Sequence, residues 1–306
     1  MADTIRNGHH VINLGNIYLE YVAAPRPGRR ILLQKYLGML QTPPVPKLWS
    51  LAQTKIYPLI RSRYDRVTVE IANRSKQKTM PPRAGRRFFG NLDQFIGYDH
   101  GSSIARVTTD ELTEWGVTLE NRSSDGKSTC PANIHWLQLG TGVWKVDSNE
   151  GYNESYLQLP KFFESLPGKG IPIAMIPNRG VLLATGSDEP EGVTALPAAA
   201  RKFIQEAPWP LCGDLFRLGS NGIELFVPSG TDAKALASIQ RLDVESVDAA
   251  QKTALEAHGE AIEDAVFVAT YSLRTQNGDP NDLRSACAWT EGAPSLLPHT
   301  DLIAFV

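Results

Sequence analysis

A chain of 306 residues is long enough for two lobes, because single hydrophobic cores stop growing at roughly 250–300 residues. Its 42% hydrophobic and 21% charged content excludes a disordered chain. Lys and Arg total 31 against 33 Asp and Glu, a net charge of -2, so no whole-molecule field draws the protein to nucleic acid or anionic lipid. No apolar run of signal-peptide or membrane-spanning length occurs, and a cytoplasmic protein without membrane contact is expected.

In chain order, "HHVINLGNIYLEYV" predicts a hairpin around Gly15 and Asn16, and "RRILLQKYLGML" a helix stopped by "QTPPVP". "TKIYPLIRSRYDRVTVEI" has the Ile, Tyr, Leu and Val content of a strand, with Pro58 pointing to a sheet edge or a bulge and Arg61 and Arg63 then sharing one face. Residues 73–87, "NRSKQKTMPPRAGRR", carry six positive charges and no acidic one, and read as an exposed loop. "RFFGNLDQFIGYD" follows as a strand, then a short helix capped by Thr108 or Thr109, with Glu111 placed for a capping box.

"GTGVWKVDSN" suggests a strand and "ESYLQLPKFFESL" a helix interrupted by Pro160. Two apolar runs in "IPIAMIPNRGVLLATGSD" flank Asn178-Arg179-Gly180, a hairpin turn. A helix over "VTALPAAARKFIQEA", a hairpin at Asn221-Gly222 and a helix over 232–262 come next. "DAVFVATYSL", "SACAWTEG" and "TDLIAFV" then read as three strands of a closing antiparallel meander, with buried positions expected among Val266, Val268, Leu302 and Ile303. Strands come in hairpins rather than in strand-helix-strand alternation. The expected fold is therefore α+β: a largely antiparallel sheet with packed helices and a three-stranded C-terminal meander, divided into lobes 1–150 and 151–306.

Three of these pieces, "TKIYPLIRSRY" at 54–64, "GYNESYLQL" at 151–159 and "IPIAMIPNRGVLLATGSD" at 171–188, resemble in order and spacing the YtpQ-like family of bacterial proteins, the domain of unknown function 1444, over roughly residues 50–230. The resemblance brings no catalytic residue set with it, so candidate sites rest on residue chemistry.

Arg61 and Arg63, with Lys55 and Tyr57, could line a groove for phosphate or carboxylate, or could simply protect an edge strand. Asn178 and Arg179 sit at the hairpin tip, where an ion pair to Asp188 or Glu189 competes with an anion site as the reason for the arginine. The basic loop 74–87 offers a nucleic-acid contact. Asp99 and His100 in "GYDHGSS", and Asp188, are acid-base candidates, but Asp-His-Gly is also a common turn composition, and His299 near Asp301 lacks a partner set. Cys130, Cys212 and Cys287 are too far apart for paired metal ligands, and no phosphate-binding glycine loop or nucleophile elbow occurs, so neither metal nor cofactor is expected. These features favour a non-catalytic protein that binds a protein or small anionic partner through a partly basic surface. The alternatives are an enzyme acting on phosphate esters or nucleic acid through Arg61, Arg63 and Arg179 with Asp99 or Asp188 as base, and a nucleic-acid-binding module using 74–87.

Overall fold

The computed structural model describes residues 4–7, 10–40, 44–75, 83–101, 103–119, 134–148, 151–206, 209–219, 222–262 and 266–306. A hairpin of β1 (Thr4–Asn7) and β2 (His10–Asn13) precedes helices α1 (Leu14–Ala23) and α2 (Arg26–Leu40). The first hairpin thus lies earlier than expected, and Gly15 and Asn16 open α1. Leu14, Ile17 and Tyr21 recur at helical spacing, and that periodicity outweighs the local turn signal.

After α3 (Trp49–Ala52), strand β3 (Ile56–Ser62) passes directly into α4 (Arg63–Ser75). The segment read as one strand is a strand only in its first half. Arg63 is therefore the first residue of a helix and shares no strand face with Arg61. β4 (Gly85–Arg87), β5 (Leu92–Asp99) and β6 (Ile104–Arg106) complete a small antiparallel sheet in which β5 pairs with β3 on one side and with β4 and β6 on the other. Helix α5 (Thr109–Trp115) begins with the expected capping box, in which Glu111 N–H donates to Thr108 Oγ1 at 3.2 Å and Thr108 N–H to Glu111 Oε2 at 2.7 Å.

Strands β7 (His135–Gly140) and β8 (Val143–Asp147) lead to two 3₁₀ segments, Asn153–Gln158 and Pro160–Ser165, where one interrupted helix was expected. Proline excludes the helical conformation from the residue before it, and Leu159 adopts φ -116, ψ 85. Then come β9 (Pro172–Asn178), β10 (Val181–Gly186), α6 (Pro190–Glu206), β11 (Leu215–Gly219), β12 (Gly222–Phe226) and the long α7 (Gly230–Ala261). Short strands β13 (Phe267–Val268) and β16 (Ser295–Leu296) pair with each other, while β14 (Ser272–Gln276), β15 (Asp279–Trp289) and β17 (Leu302–Phe305) form the C-terminal sheet.

The central sheet has the order β12-β11-β9-β10-β8-β7, antiparallel throughout. Both its faces are covered. Ala174, Ile176, Leu182, Ala184 and Phe216 pack with Tyr156, Leu157, Phe162 and Phe163 of the 3₁₀ segments; Ile173, Met175, Leu183 and Leu215 pack with Leu196 and Ala200 of α6 and Leu236 and Ile239 of α7. A strand buried on both faces needs apolar residues at every position, which accounts for the unbroken runs on either side of Arg179. β8 pairs with β10 across residue 150, and Ile60 and Leu92 of the small sheet join the cluster around Phe216.

The C-terminal sheet has its three strands, but β17 joins β15 in parallel, Ala286 opposite Leu302 and Trp289 opposite Phe305. Residues 290–301 supply about the dozen residues that a parallel crossover needs, so the chain returns to the same end before pairing. Of the positions expected to be buried, Val268 is 6% exposed, whereas Leu302 and Ile303 are 56% and 45% exposed.

One glycine shapes the small sheet. A Cβ on Gly97 would stand 2.4 Å from Leu59 Cδ1 and 2.8 Å from Ile104 Cγ2, so the neighbouring strands' side chains fill the space above its backbone. We expect Gly97→Ala to lower stability by about 1–3 kcal/mol through overpacking. Urea unfolding with an unchanged m-value would show it; a midpoint equal to wild type would refute it.

Candidate functional site: a basic cluster on the small sheet

Register places Tyr57, Leu59 and Arg61 of β3 opposite Gly97, Phe95 and Asp93 of β5, and Gly97 opposite Arg106 of β6, so all seven side-chain positions share one face. Leu59, Phe95 and Tyr152 make a small buried cluster there, with the Tyr57 ring tilted against Tyr152 at a centroid separation of 4.9 Å. Around this apolar centre stand Arg61, Arg83, Arg106 and Arg179, close enough for their charges to act on one another.

Arg61 is buried, and its Nη1 donates to Glu154 Oε1 at 2.6 Å. Glu154 is fully buried, and its other oxygen accepts the Gly180 N–H at 2.6 Å, while Asn153 Nδ2 donates to Gly180 O at 3.1 Å. Ser155 Oγ accepts the Ile60 N–H on the open side of β3, closing an edge that would otherwise be free to pair. Burial pushes the Glu154 carboxyl above its ordinary value and the Arg61 guanidinium below its own, against the pull of the pair.

At the hairpin tip Gly180 has φ 75, a backbone angle that glycine adopts without strain. Contrary to expectation, Arg179 beside it does not pair with Asp188 or Glu189. Those acids follow the far ends of β9 and β10, a strand length of about 20 Å away. Its Nη2 donates instead to Asp65 Oδ2 of α4 at 2.5 Å, and its guanidinium lies 4.5 Å from the centre of the Trp209 ring. Asn178 is buried and spends its amide on Phe203 O at 3.1 Å, which makes it part of the scaffold.

The structure brings Arg61 and Arg179 together and leaves the other candidates elsewhere. Arg63 opens α4 and donates its backbone N–H to Asn91 O. Asp99 turns back to accept the Gly101 N–H at 2.6 Å, and the His100 ring packs edge-on against Tyr98. Asp188 is exposed beside Ser187. In the basic segment, Arg74 ends α4, Arg86 donates to Gln94 and Arg87 to Gly90 O, while residues 76–82 lie outside the described residues.

Sequence reasoning missed Arg106, a lone arginine in "SSIARVTTD". Its guanidinium lies 5.2 Å from the centre of the Phe95 ring, and among the described residues it has no hydrogen bond or ion pair. Burial, with Arg83, Arg61 and Arg179 adding repulsion, lowers its pKa to about 9. Arg83, bridged through its backbone to Thr108, is also pushed down by burial, with Glu70 opposing. Two of the four guanidinium groups are therefore ion-paired, and among the described residues the other two are not. Such a surface gains most from an added anion, which would be held by planar donor forks in a partly dehydrated setting.

A second polar cluster lies where α4 meets α7. Asp243 accepts the Gly213 N–H at 3.2 Å, Gln240 Nε2 donates to Asp214 Oδ1 at 2.7 Å, and the Cys212 thiol lies 3.4 Å from Asp214 Oδ2. Burial and both aspartates push the Cys212 thiol up, which disfavours the nucleophilic thiolate. No group of three or more His, Cys, Asp or Glu among the described residues is arranged to hold a metal ion. Comparison with protein-family models, curated proteins and solved structures finds no match to this chain.

Burial, with Asp214 and Asp65 adding repulsion, raises Asp243 to about 7. The unfolded chain, with this carboxyl near its ordinary value of about 4, binds fewer protons than the folded one between those pH values, so stability falls as pH rises through that window. Asp243→Asn should therefore be more stable than wild type, by a margin that opens above about pH 4 and levels off above about 7. Parallel melting curves of the two proteins across pH would remove this assignment.

Proposed function

We propose that this chain is a non-catalytic binding protein whose small sheet receives an anion, a phosphate or carboxylate carried by a small molecule or a partner protein, at Arg83 and Arg106. The observation that carries the reading is the pair of partly buried guanidinium groups without acids, next to two others that have them. The nearest carboxylates are already committed, Glu154 to Arg61 and Gly180, Asp65 to Arg179, which favours binding over a reaction needing a free base. Arg83 also belongs to the basic segment 74–87, so a nucleic-acid phosphate is one form the anion could take. Among the described residues no helix is long and apolar enough to cross a membrane, and the proposal places the protein in the cytoplasm. Membership of the YtpQ-like family belongs to the same proposal.

Inorganic phosphate should raise the melting temperature of wild type by mass action, and chloride at matched ionic strength should not. Arg106→Met removes a buried charge without an acid, so it should melt higher than wild type in the absence of phosphate and lose most of the phosphate response. Arg217→Met, which removes an exposed arginine paired with Glu224, should keep that response. Equal responses of wild type and Arg106→Met would overturn the proposal.

A further inference from the structure

The C-terminal sheet ends in an edge that lacks the usual protection. β17 pairs with β15 on one side, and no described strand lies on the other. Val306 N–H donates to Trp289 O and Glu291 N–H to Val306 O, so residue 306 bonds toward β15. By the alternation of a strand, Ala304 and Leu302 do the same, and the N–H and C=O groups of Ile303 and Phe305 face outward. Natural edges are usually blunted by charge, proline or a bulge. Residues 302–306, "LIAFV", have none of these, and the charge just before them, Asp301, is taken up by Arg241 and Ser285.

Both faces of the strand are also apolar and exposed. Ile303 and Phe305 lie on the face of Cys287 and Trp289, and Leu302 and Val306 on the other. Phe305 is 76% exposed, Val306 73%, Leu302 56%, Ile303 45% and Trp289 40%, with the Phe305 and Trp289 rings 5.4 Å apart. At these exposures the five side chains leave on the order of 600 Å² in water per copy, part of which a strand added at this edge would cover.

We propose that β17 is a dimerisation edge that pairs antiparallel with β17 of a second copy of this chain, joining two three-stranded sheets into one of six strands. A second copy fits better than a foreign strand because no side chain in "LIAFV" is charged or carries a hydrogen-bonding group that could select another partner. A two-fold axis also makes the segment complementary to itself. With Ile303 of one copy opposite Phe305 of the other, the outward backbone groups of both are satisfied. Ala304 then faces its own copy as a non-hydrogen-bonded pair with Cα atoms about 4.5 Å apart.

The test is sedimentation equilibrium of the full chain through the micromolar range, together with two variants. Wild type should be a dimer. Ala304→Cys should form a reducible cross-linked dimer under mild oxidation, at a level that wild type with its native cysteines does not reach, because a Cα separation of about 4.5 Å suits a disulfide. Ile303→Pro removes an outward N–H but no bond to β15, and should be a monomer whose circular dichroism spectrum matches wild type. A monomeric wild type overturns the proposal and leaves the edge to a strand of another protein. A dimer that forms without the Ala304→Cys cross-link overturns it as well, whether or not Ile303→Pro folds.

Discussion

Two charges taken out of water hold the small sheet against the central one. The Arg61 guanidinium and the Glu154 carboxylate meet at 2.6 Å with side chains 10% and 0% exposed, and the second oxygen of Glu154 takes the Gly180 N–H. Leaving either charge buried alone is costly, about 3–5 kcal/mol when one partner of a buried pair is removed, which is a large part of a domain's stability. The position of β3, of the 3₁₀ segment around Glu154 and of the β9–β10 tip is therefore a single constraint. Other local features follow from it. Ser155 is brought to the free edge of β3, and the tip points Arg179 at Asp65 rather than into solvent.

The cost of that arrangement is a concentration of positive charge in a protein whose net charge is slightly negative. Arg61 and Arg179 bring their own acids, but their charges still bear on Arg106, which lies over Phe95 with Arg83 nearby. A folded chain tolerates two such groups only because the remaining core compensates for them. Uncompensated groups of this kind are where a binding function is best sought. The buried Asp243 beside Asp214 is the acidic counterpart at the α4–α7 contact. There a proton rather than a ligand relieves the strain.

What the sequence disclosed was local, and what it concealed was distant. The β9–β10 hairpin, the capping box at Thr108 and Glu111, and the α+β class follow from neighbours within a few residues, and each is present. The switch from β3 to α4 was hidden because "RSRYD" contains no glycine or proline to mark it. The polar alternation of a strand and the first turn of a helix look alike over so short a run. The partner of Arg61 lies 93 residues away and that of Arg179 lies 114 away, so no local pattern could name either. Arg106 gave no signal at all, since its importance comes from a lack of acids that only the assembled sheet reveals. The parallel entry of β17 was equally hidden, because its composition is the same in either direction.

The buried pair itself can be tested by a double-mutant cycle with Arg61→Met, Glu154→Gln and the two combined, glutamine being chosen so that Gly180 keeps an acceptor. Each substitution alone leaves one buried group without its partner and should lower unfolding stability by about 3–5 kcal/mol. The double variant should lose far less than the sum, showing a coupling of more than about 1 kcal/mol. Losses that add to within about 0.5 kcal/mol would mean that the two charges do not depend on each other. They would also contradict the account of how the two sheets are joined.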